Sequence, residues 1–276
     1  SHATTRMCLH RLENFAAPGM KVLDLGCGSG ILSIAALRLG AAHAFACDID
    51  DKCVDVAYEN AALNDISKDV YTVRCGDVLS DKGLQAEFGK EYDVIVANMP
   101  FSLDKWAEGF NPGGQEDGGS DKDKKFKMTA NLDRFHRFDW GVPPASKGDW
   151  AFLLHMIGSM SGNGRIAAVA PHGVLFRGAS EGRIRQTIVE KNLIDAVIGL
   201  PENLFYGTSI PACIIVFRKG RTTTDVLFVD ASKEFKKDKA KNVLEPANIA
   251  KIVETYQAFR NGANAEVEKY SHVATL

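Results

Sequence analysis

The chain has 276 residues, 45% of them hydrophobic and 25% charged, which is enough apolar material for one large core and an ordinary globular composition. Its formal net charge of −2 removes the basic excess usual in a protein that holds nucleic acid unaided, so any such role must rest on a local patch or a partner subunit. No apolar run reaches the length of a membrane span and no signal-peptide pattern opens the sequence, which predicts a cytoplasmic protein with no membrane partner. The cysteines (Cys8, Cys27, Cys47, Cys53, Cys75, Cys213) show no C-x-x-C pairing, so reduced thiols are expected and a metal site is not.

Residues 2–15 read as a short amphipathic helix, with Thr5 near its start, leading into Pro18-Gly19. Val22-Leu23-Asp24-Leu25 is an apolar strand with an acid near its end, Gly26-Cys27-Gly28-Ser29-Gly30 is a glycine-rich turn, and residues 31–39 follow as a helix. Glycines let a backbone approach a ligand closely, and a helix start offers N–H groups. The spacing is G-x-G-x-G, not the G-x-G-x-x-G of dinucleotide enzymes. Together with Asp24, this stretch resembles motif I of class I S-adenosylmethionine (SAM) methyltransferases. The resemblance implies a Rossmann-like α/β fold, a seven-stranded sheet with its last strand antiparallel, SAM as cofactor, and Asp24, Gly26, Gly28 and Gly30 around it. His2-Ala3-Thr4-Thr5, the turn, and Asp48-Ile49-Asp50 are similar to ribosomal-protein lysine methyltransferases, where the second threonine lies near SAM. Thr5 is therefore a cofactor-side residue or simply a helix N-cap.

Residues 44–48 form the second strand, and Asp48 lies about twenty residues past the turn, where this architecture puts a carboxylate on the ribose hydroxyls. A carboxylate accepts both hydrogen bonds of a vicinal diol. Ile49 beside it belongs to the same expected set, while Asp50 and Asp51 read better as caps of the helix that runs to Leu63. Residues 70–75 are the third strand, and Gly76-Asp77-Val78 matches the position of an Asp near the adenine amine of SAM; Gly-Asp is also a common turn.

Residues 92–97 are the fourth strand, with Asn98-Met99-Pro100-Phe101 at its C-terminal end, where ligands of open parallel sheets bind. The tetrad resembles the [DNS]-P-P-[YFW] motif of amino-methyltransferases, most often N-P-P-F in adenine-specific DNA methylases. The chemistry asks for such groups. An exocyclic aromatic amine is a poor nucleophile, and two acceptors on its hydrogens, the Asn98 side-chain oxygen and the Met99 carbonyl, favour a pyramidal nitrogen. Phe101 stacks on an extruded base, and the tetrad as a whole (Asn98, Met99, Pro100, Phe101) is the expected catalytic element, with Asn98 also facing SAM. Met99 departs from the pattern: the carbonyl survives, but the fixed φ of proline is lost. Similar N-x-P tetrads occur in some RNA methyltransferases, and a plain strand-to-loop exit is the alternative.

Residues 102–142 are a long insert, a lid or a surface loop, in which Lys122, Lys124, Lys125, Lys127, Arg134 and Arg137 are candidate phosphate contacts. Residues 149–157 predict a helix, 165–170 the fifth strand, 181–191 a basic amphipathic helix, and 193–200 and 212–218 the last two strands of the core sheet. His172 ends the fifth strand on the ligand side as a substrate contact or a turn residue, and Phe205-Tyr206-Gly207-Thr208 is an aromatic loop that frames a base pocket or packs. Residues 226–230 are a further short strand, 235–241 a solvated charged turn, and 245–260 a helix with Ile249, Ile252, Val253 and Tyr256 on one face.

Asp149-Trp150-Ala151-Phe152, Pro171-His172-Gly173-Val174-Leu175-Phe176-Arg177-Gly178 and Gly199-Leu200-Pro201-Glu202-Asn203-Leu204-Phe205 resemble the modification (M) subunit of type I restriction–modification systems. That resemblance implies SAM-dependent methylation of the adenine N6 amine in DNA, with DNA, a specificity subunit and a second M subunit as partners. The two resemblances meet between residues 65 and 92, as in a chimera or a divergent relative sharing one fold. The alternatives are an RNA or ribosomal-protein amino-methyltransferase and a SAM-binding domain without catalysis. Residues 1–230 are the expected catalytic domain and 231–276 a truncated C-terminal helical extension.

Overall fold

The computed structural model describes residues 17–110, 127–205, 209–238 and 241–275. The expected opening helix with Thr5, the lysines 122, 124 and 125, and Tyr206-Gly207-Thr208 lie outside the described residues. The strands are β1 (Lys21–Leu25), β2 (His43–Asp48), β3 (Tyr71–Cys75), β4 (Tyr92–Ala97), β5 (Met160–Pro171), β6 (Ile194–Gly199), β7 (Ala212–Arg218), β8 (Asp225–Asp230), β9 (Lys236–Asp238), β10 (Lys241–Val243) and β11 (Ser271–Thr275). Nine of them form one sheet in the order β11-β8-β6-β7-β5-β4-β1-β2-β3. β7 runs against β5 and β6, β11 runs against β8, and the others share one direction. The expected core of seven strands with an antiparallel β7 is present, and two more strands widen it.

Period-two alternation divides the sheet between its layers. Val22, Ala44, Ala46, Val94 and Val96 face α1 (Ile31–Arg38) and α2 (Lys52–Ala62). Leu23, Leu25, Ile95 and Ala97 face the opposite core, shared with α3 (Lys82–Phe88), α4 (Asp149–Ser159) and α5 (Ala179–Glu190). At the far end of the sheet, Ile249, Ile252 and Tyr256 of α6 (Pro246–Arg260) cover Ala196, Ile198, Leu227 and Val229. Among the described residues no helix is long and apolar enough to cross a membrane.

Several expectations are corrected. The stretch read as a helical extension also supplies an edge strand: β11 pairs with β8 from Ser271↔Val229 to Thr275↔Asp225. Within the stretch read as a charged turn, 235–241, Lys236–Asp238 is a strand, one arm of the β9–β10 pair in register Lys236↔Val243. Helix α3 went unread, although Asp81 caps it by accepting from the N–H groups of Gly83 (2.8 Å) and Leu84 (2.9 Å). The described flanks of the 102–142 insert are packed, with Trp106, Met128 and Phe138 in the core. Arg137 is no phosphate contact: it is buried, its Nε donates to Asp133 Oδ2 (3.0 Å), and its Nη2 donates to the carbonyl of Leu79 (3.0 Å).

β1 sits between β2 and β4, so the chain leaves it on one side and returns on the other. That reversal opens a crevice at the C-terminal ends of β1 and β4.

Candidate functional site

One wall of the crevice is the glycine turn. Gly26 and Cys27 donate their N–H groups to the carbonyl of Cys47 (2.9 and 3.1 Å), and Gly28 donates to Asp48 Oδ2 (2.9 Å). The turn is thus pinned to the end of β2. Its glycines serve different ends. Gly26 (φ +73°) lies against the other wall, for a Cβ there would stand 3.2 Å from the carbonyl oxygen of Asn98. Gly28 (φ +51°) faces open space among the described residues, none of which lies within 4 Å of a Cβ there. Gly30 (φ +74°) is required by packing, since a Cβ would collide with Tyr71 Oη and press on Ala57.

Asp24 is buried, and its Oδ2 accepts from the Ser33 N–H (3.2 Å) and hydroxyl (2.6 Å). Burial pushes its pKa up to about 6, a shift the Ser33 bonds oppose and nearby Asp48 increases. Its carboxylate braces β1 against α1, so this residue acts on the turn from beneath. Asp48 Oδ1 also accepts from the Asp50 N–H (3.1 Å), and Ile49 beside it is 71% exposed. Asp50 accepts from the Lys52 N–H (3.1 Å), whereas Asp51, at the N-cap of α2, makes no side-chain cap bond. Asp77 is engaged in a turn, accepting from the Leu79 N–H (3.0 Å) and the Ser80 hydroxyl (2.6 Å). A carboxylate offers about four lone-pair sites, so Asp48 and Asp77 retain acceptor capacity. Open space over Gly28, a bare aliphatic side chain and the Asp48 carboxylate suit a nucleoside with a free diol.

The other wall is the tetrad. Asn98 is exposed at the tip of β4, Met99 is buried in the core, Pro100 is exposed, and the half-buried Phe101 ring stands edge-on to Phe205 at 5.5 Å. Asn98 and Gly26 therefore face each other across the switch point. Thr5 cannot be joined to them, lying outside the described residues. Of the remaining basic candidates, Lys127 is exposed and Arg134 donates to the Lys82 carbonyl (3.1 Å). Nε2 of His172 is buried at the end of β5 with no hydrogen-bond partner among the described residues. Among the described residues no His, Cys, Asp and Glu cluster is placed to hold a metal ion.

Sequence reading missed the groups behind the tetrad. Asp149 opens α4, is fully buried, and accepts from the Ser102 N–H at 2.6 Å. Arg177 Nη2 pairs with its Oδ2 at 2.5 Å, and Arg177 Nε with Glu181 at 2.6 Å. The only local signal was an acid at a helix start, which by itself reads as a helix-dipole partner.

A family model described as N-6 DNA Methylase matches residues 3–276, across both of the resemblances met in the sequence. The chain is 31% identical over 255 residues to a type I restriction enzyme MpnII methylase subunit of Mycoplasma pneumoniae, covering 88% of this chain and 44% of the relative. It is 44% identical over 100 residues to a ribosomal protein L11 methyltransferase of Lachnospira eligens, covering 36% of this chain and 31% of that protein. Among solved structures, a type I restriction-modification methyltransferase subunit from Streptococcus thermophilus superposes over 100% of this chain and 55% of its own, with a TM-score of 0.80 and 31% identity. The chain spans about half the length, or less, of these relatives.

Proposed function

This chain belongs to the N-6 DNA methylase family, and from that premise we propose that it transfers a methyl group from SAM to the exocyclic N6 amine of adenine in DNA, as the modification subunit of a type I restriction–modification system. The observation that carries the reading is the meeting of Gly26 and exposed Asn98 at the switch point, with open space over Gly28 beside them. The proposed partners are adenine-containing DNA, a specificity subunit and a second modification subunit. The net charge of −2 favours a subunit that leaves DNA recognition to a partner. Residues 1–230 are proposed as the catalytic unit, with 231–276 extending it.

In this reading Asp48 would hold the ribose diol and Ile49 the face of the purine, while Asp77 would accept from its amine. Gly26 and Gly28 keep the turn bare, and Asp24 and Gly30 hold it from below. SAM supplies an electrophilic methyl group. The Asn98 side-chain oxygen and the Met99 carbonyl accept from the adenine amine, which turns its lone pair away from the ring. Phe101 stacks on the extruded base, and that stacking offsets part of the cost of taking the base out of the duplex. The proton released on methylation leaves to water past exposed Asn98, so no strong base is required.

A second reading rests on the ribosomal protein L11 methyltransferase likeness and makes the acceptor a protein amine. Calorimetric titration with SAM, followed by tritiated-methyl transfer to unmethylated genomic DNA with an added specificity subunit, separates the two. We expect binding and label on adenine. Asn98→Ala should lower transfer by at least about a hundredfold, with SAM affinity changed by no more than a few-fold. Label on protein and none on DNA would select the second reading, and binding without any product would leave a cofactor-binding domain.

A further inference from the structure

We propose that Asp149 is a positioning residue for methyl transfer: it holds Asn98–Phe101 from behind through Ser102 and joins that stretch to Arg177. The inference rests on the tetrad being the transfer site. Ser102 follows Phe101 directly and has φ +52°, a left-handed conformation that a serine keeps only where its surroundings impose it. Asp149 imposes it here, taking the Ser102 N–H on Oδ1 at 2.6 Å with the Ser102 hydroxyl 3.5 Å from Oδ2. The next residues are fastened to the same place. Gly148 donates to the Leu103 carbonyl (2.9 Å), Lys105 to the Ala145 carbonyl (2.9 Å), and Trp106 Nε1 to the Pro144 carbonyl (2.9 Å). Gly148 has little alternative to glycine, because a Cβ would lie 3.0 Å from that of Trp106 and 3.2 Å from the Leu103 oxygen.

A buried carboxylate persists only with partners. Arg177 supplies the charge, and its guanidinium is itself fixed by Glu181, whose oxygens lie 2.6 Å from Nε and 3.0 Å from Nη2. Gly173 leaves room for it, since a Cβ there would run into the guanidinium. Arg185 Nη1 donates to the Arg177 carbonyl at 2.9 Å, so backbone and side chain of Arg177 are both held. The tetrad is therefore restrained at both ends, by β4 before Asn98 and by Asp149 after Phe101. Met99 in place of a proline leaves the backbone between them a free φ, and restraint from the C-terminal side offsets that freedom. Methyl transfer is sensitive to such placement, because an error of about 1 Å costs on the order of a hundredfold in rate.

The test uses the whole chain with its specificity subunit, SAM and unmethylated DNA. Asp149→Asn keeps an acceptor for Ser102 but loses the charge pair with Arg177; Arg177→Lys keeps Asp149 but loses the forked contact. Transfer rates are read at saturating SAM and DNA, beside SAM affinity and folded fraction. We expect kcat per folded molecule to fall about 10- to 100-fold in either variant, with SAM Kd and the KM for DNA within about threefold of wild type. A merely structural role predicts the opposite split: fewer folded molecules with unchanged kcat, and that result overturns the proposal. Should Asp149→Asn fail to fold, Arg177→Lys decides by the same split. Asn98→Ala run in parallel keeps the failures apart: retained transfer in Asn98→Ala defeats the tetrad reading, whereas its loss beside normal kcat in the Asp149 and Arg177 variants defeats this inference alone.

Discussion

On the β1–β2 wall, the bonds that shape the turn join near neighbours: Asp24 to Ser33 nine positions on, and Asp48 to Gly28 twenty positions back. On the β4 wall they join strangers: Ser102 to Asp149 across 47 positions, Asp149 to Arg177 across 28, and Arg137 to Leu79 across 58. The β1–β2 wall, the proposed cofactor side, is a local device that a short stretch of sequence carries whole. The β4 wall, the proposed acceptor side, is assembled, and its geometry exists only when several distant segments have packed. Local devices can be read as motifs; assembled ones leave only their tip visible, here the tetrad.

The largest way to break this contrast is at Arg137, which belongs to the acceptor side yet reaches the carbonyl of Leu79 beside the Asp77 turn. Arg137→Met strands buried Asp133, and a buried pair broken on one side costs about 3–5 kcal/mol. Urea unfolding should show that loss. If the walls are coupled through Leu79, SAM affinity should weaken as well; unchanged affinity in the folded fraction would make them independent. Next comes Gly30→Ala, which puts a side chain in left-handed backbone and against Tyr71 Oη, a combined cost of about 2–4 kcal/mol. Part of it should return in the double variant with Tyr71→Phe, which removes the colliding oxygen. No recovery would mean that backbone conformation and the Ala57 contact set the cost.

A smaller and sharper effect separates the walls by pH. Asp24, on the cofactor side, has its pKa raised by burial to about 6, so the folded state holds a proton that the unfolded chain has released. Its contribution to stability is full below about pH 4 and is lost as the pH rises through about 6. His155, on the acceptor side, is lowered to about 3, first by burial and then by Arg137, whose Nη1 stands 3.0 Å from its Nδ1. Its contribution is full above about pH 6.5 and is lost as the pH falls toward 3. Between about pH 4 and 6 the two slopes oppose, each at most about 1.4 kcal/mol per pH unit. Asp24→Asn should therefore steepen acid unfolding and His155→Gln should flatten it, measured as urea midpoints across that range. Parallel shifts with no change of slope would show that neither group titrates on unfolding.

The sequence by itself determined the strands and helices of the core sheet as far as Asp230, α3 apart, because apolar alternation and glycine punctuation are written locally. It also determined the glycine turn and the tetrad, which depend on the chain near them. It did not distinguish the glycines: only packing shows that Gly28 faces open space while Gly30 is pressed by Tyr71. Nor did it separate Asp24, sunk beneath the turn, from Asp48 at its rim, since both are acids near strand ends. It read 231–276 as a helical extension and gave no strand at Ser271–Thr275, because a five-residue edge strand is specified by its partner β8 more than by its own weak pattern. The tertiary structure alone decided that Asp149, Arg177 and Glu181 meet behind Phe101. Buried charges are stable only in the company of others, and that company is drawn from whichever segments the sheet order brings together.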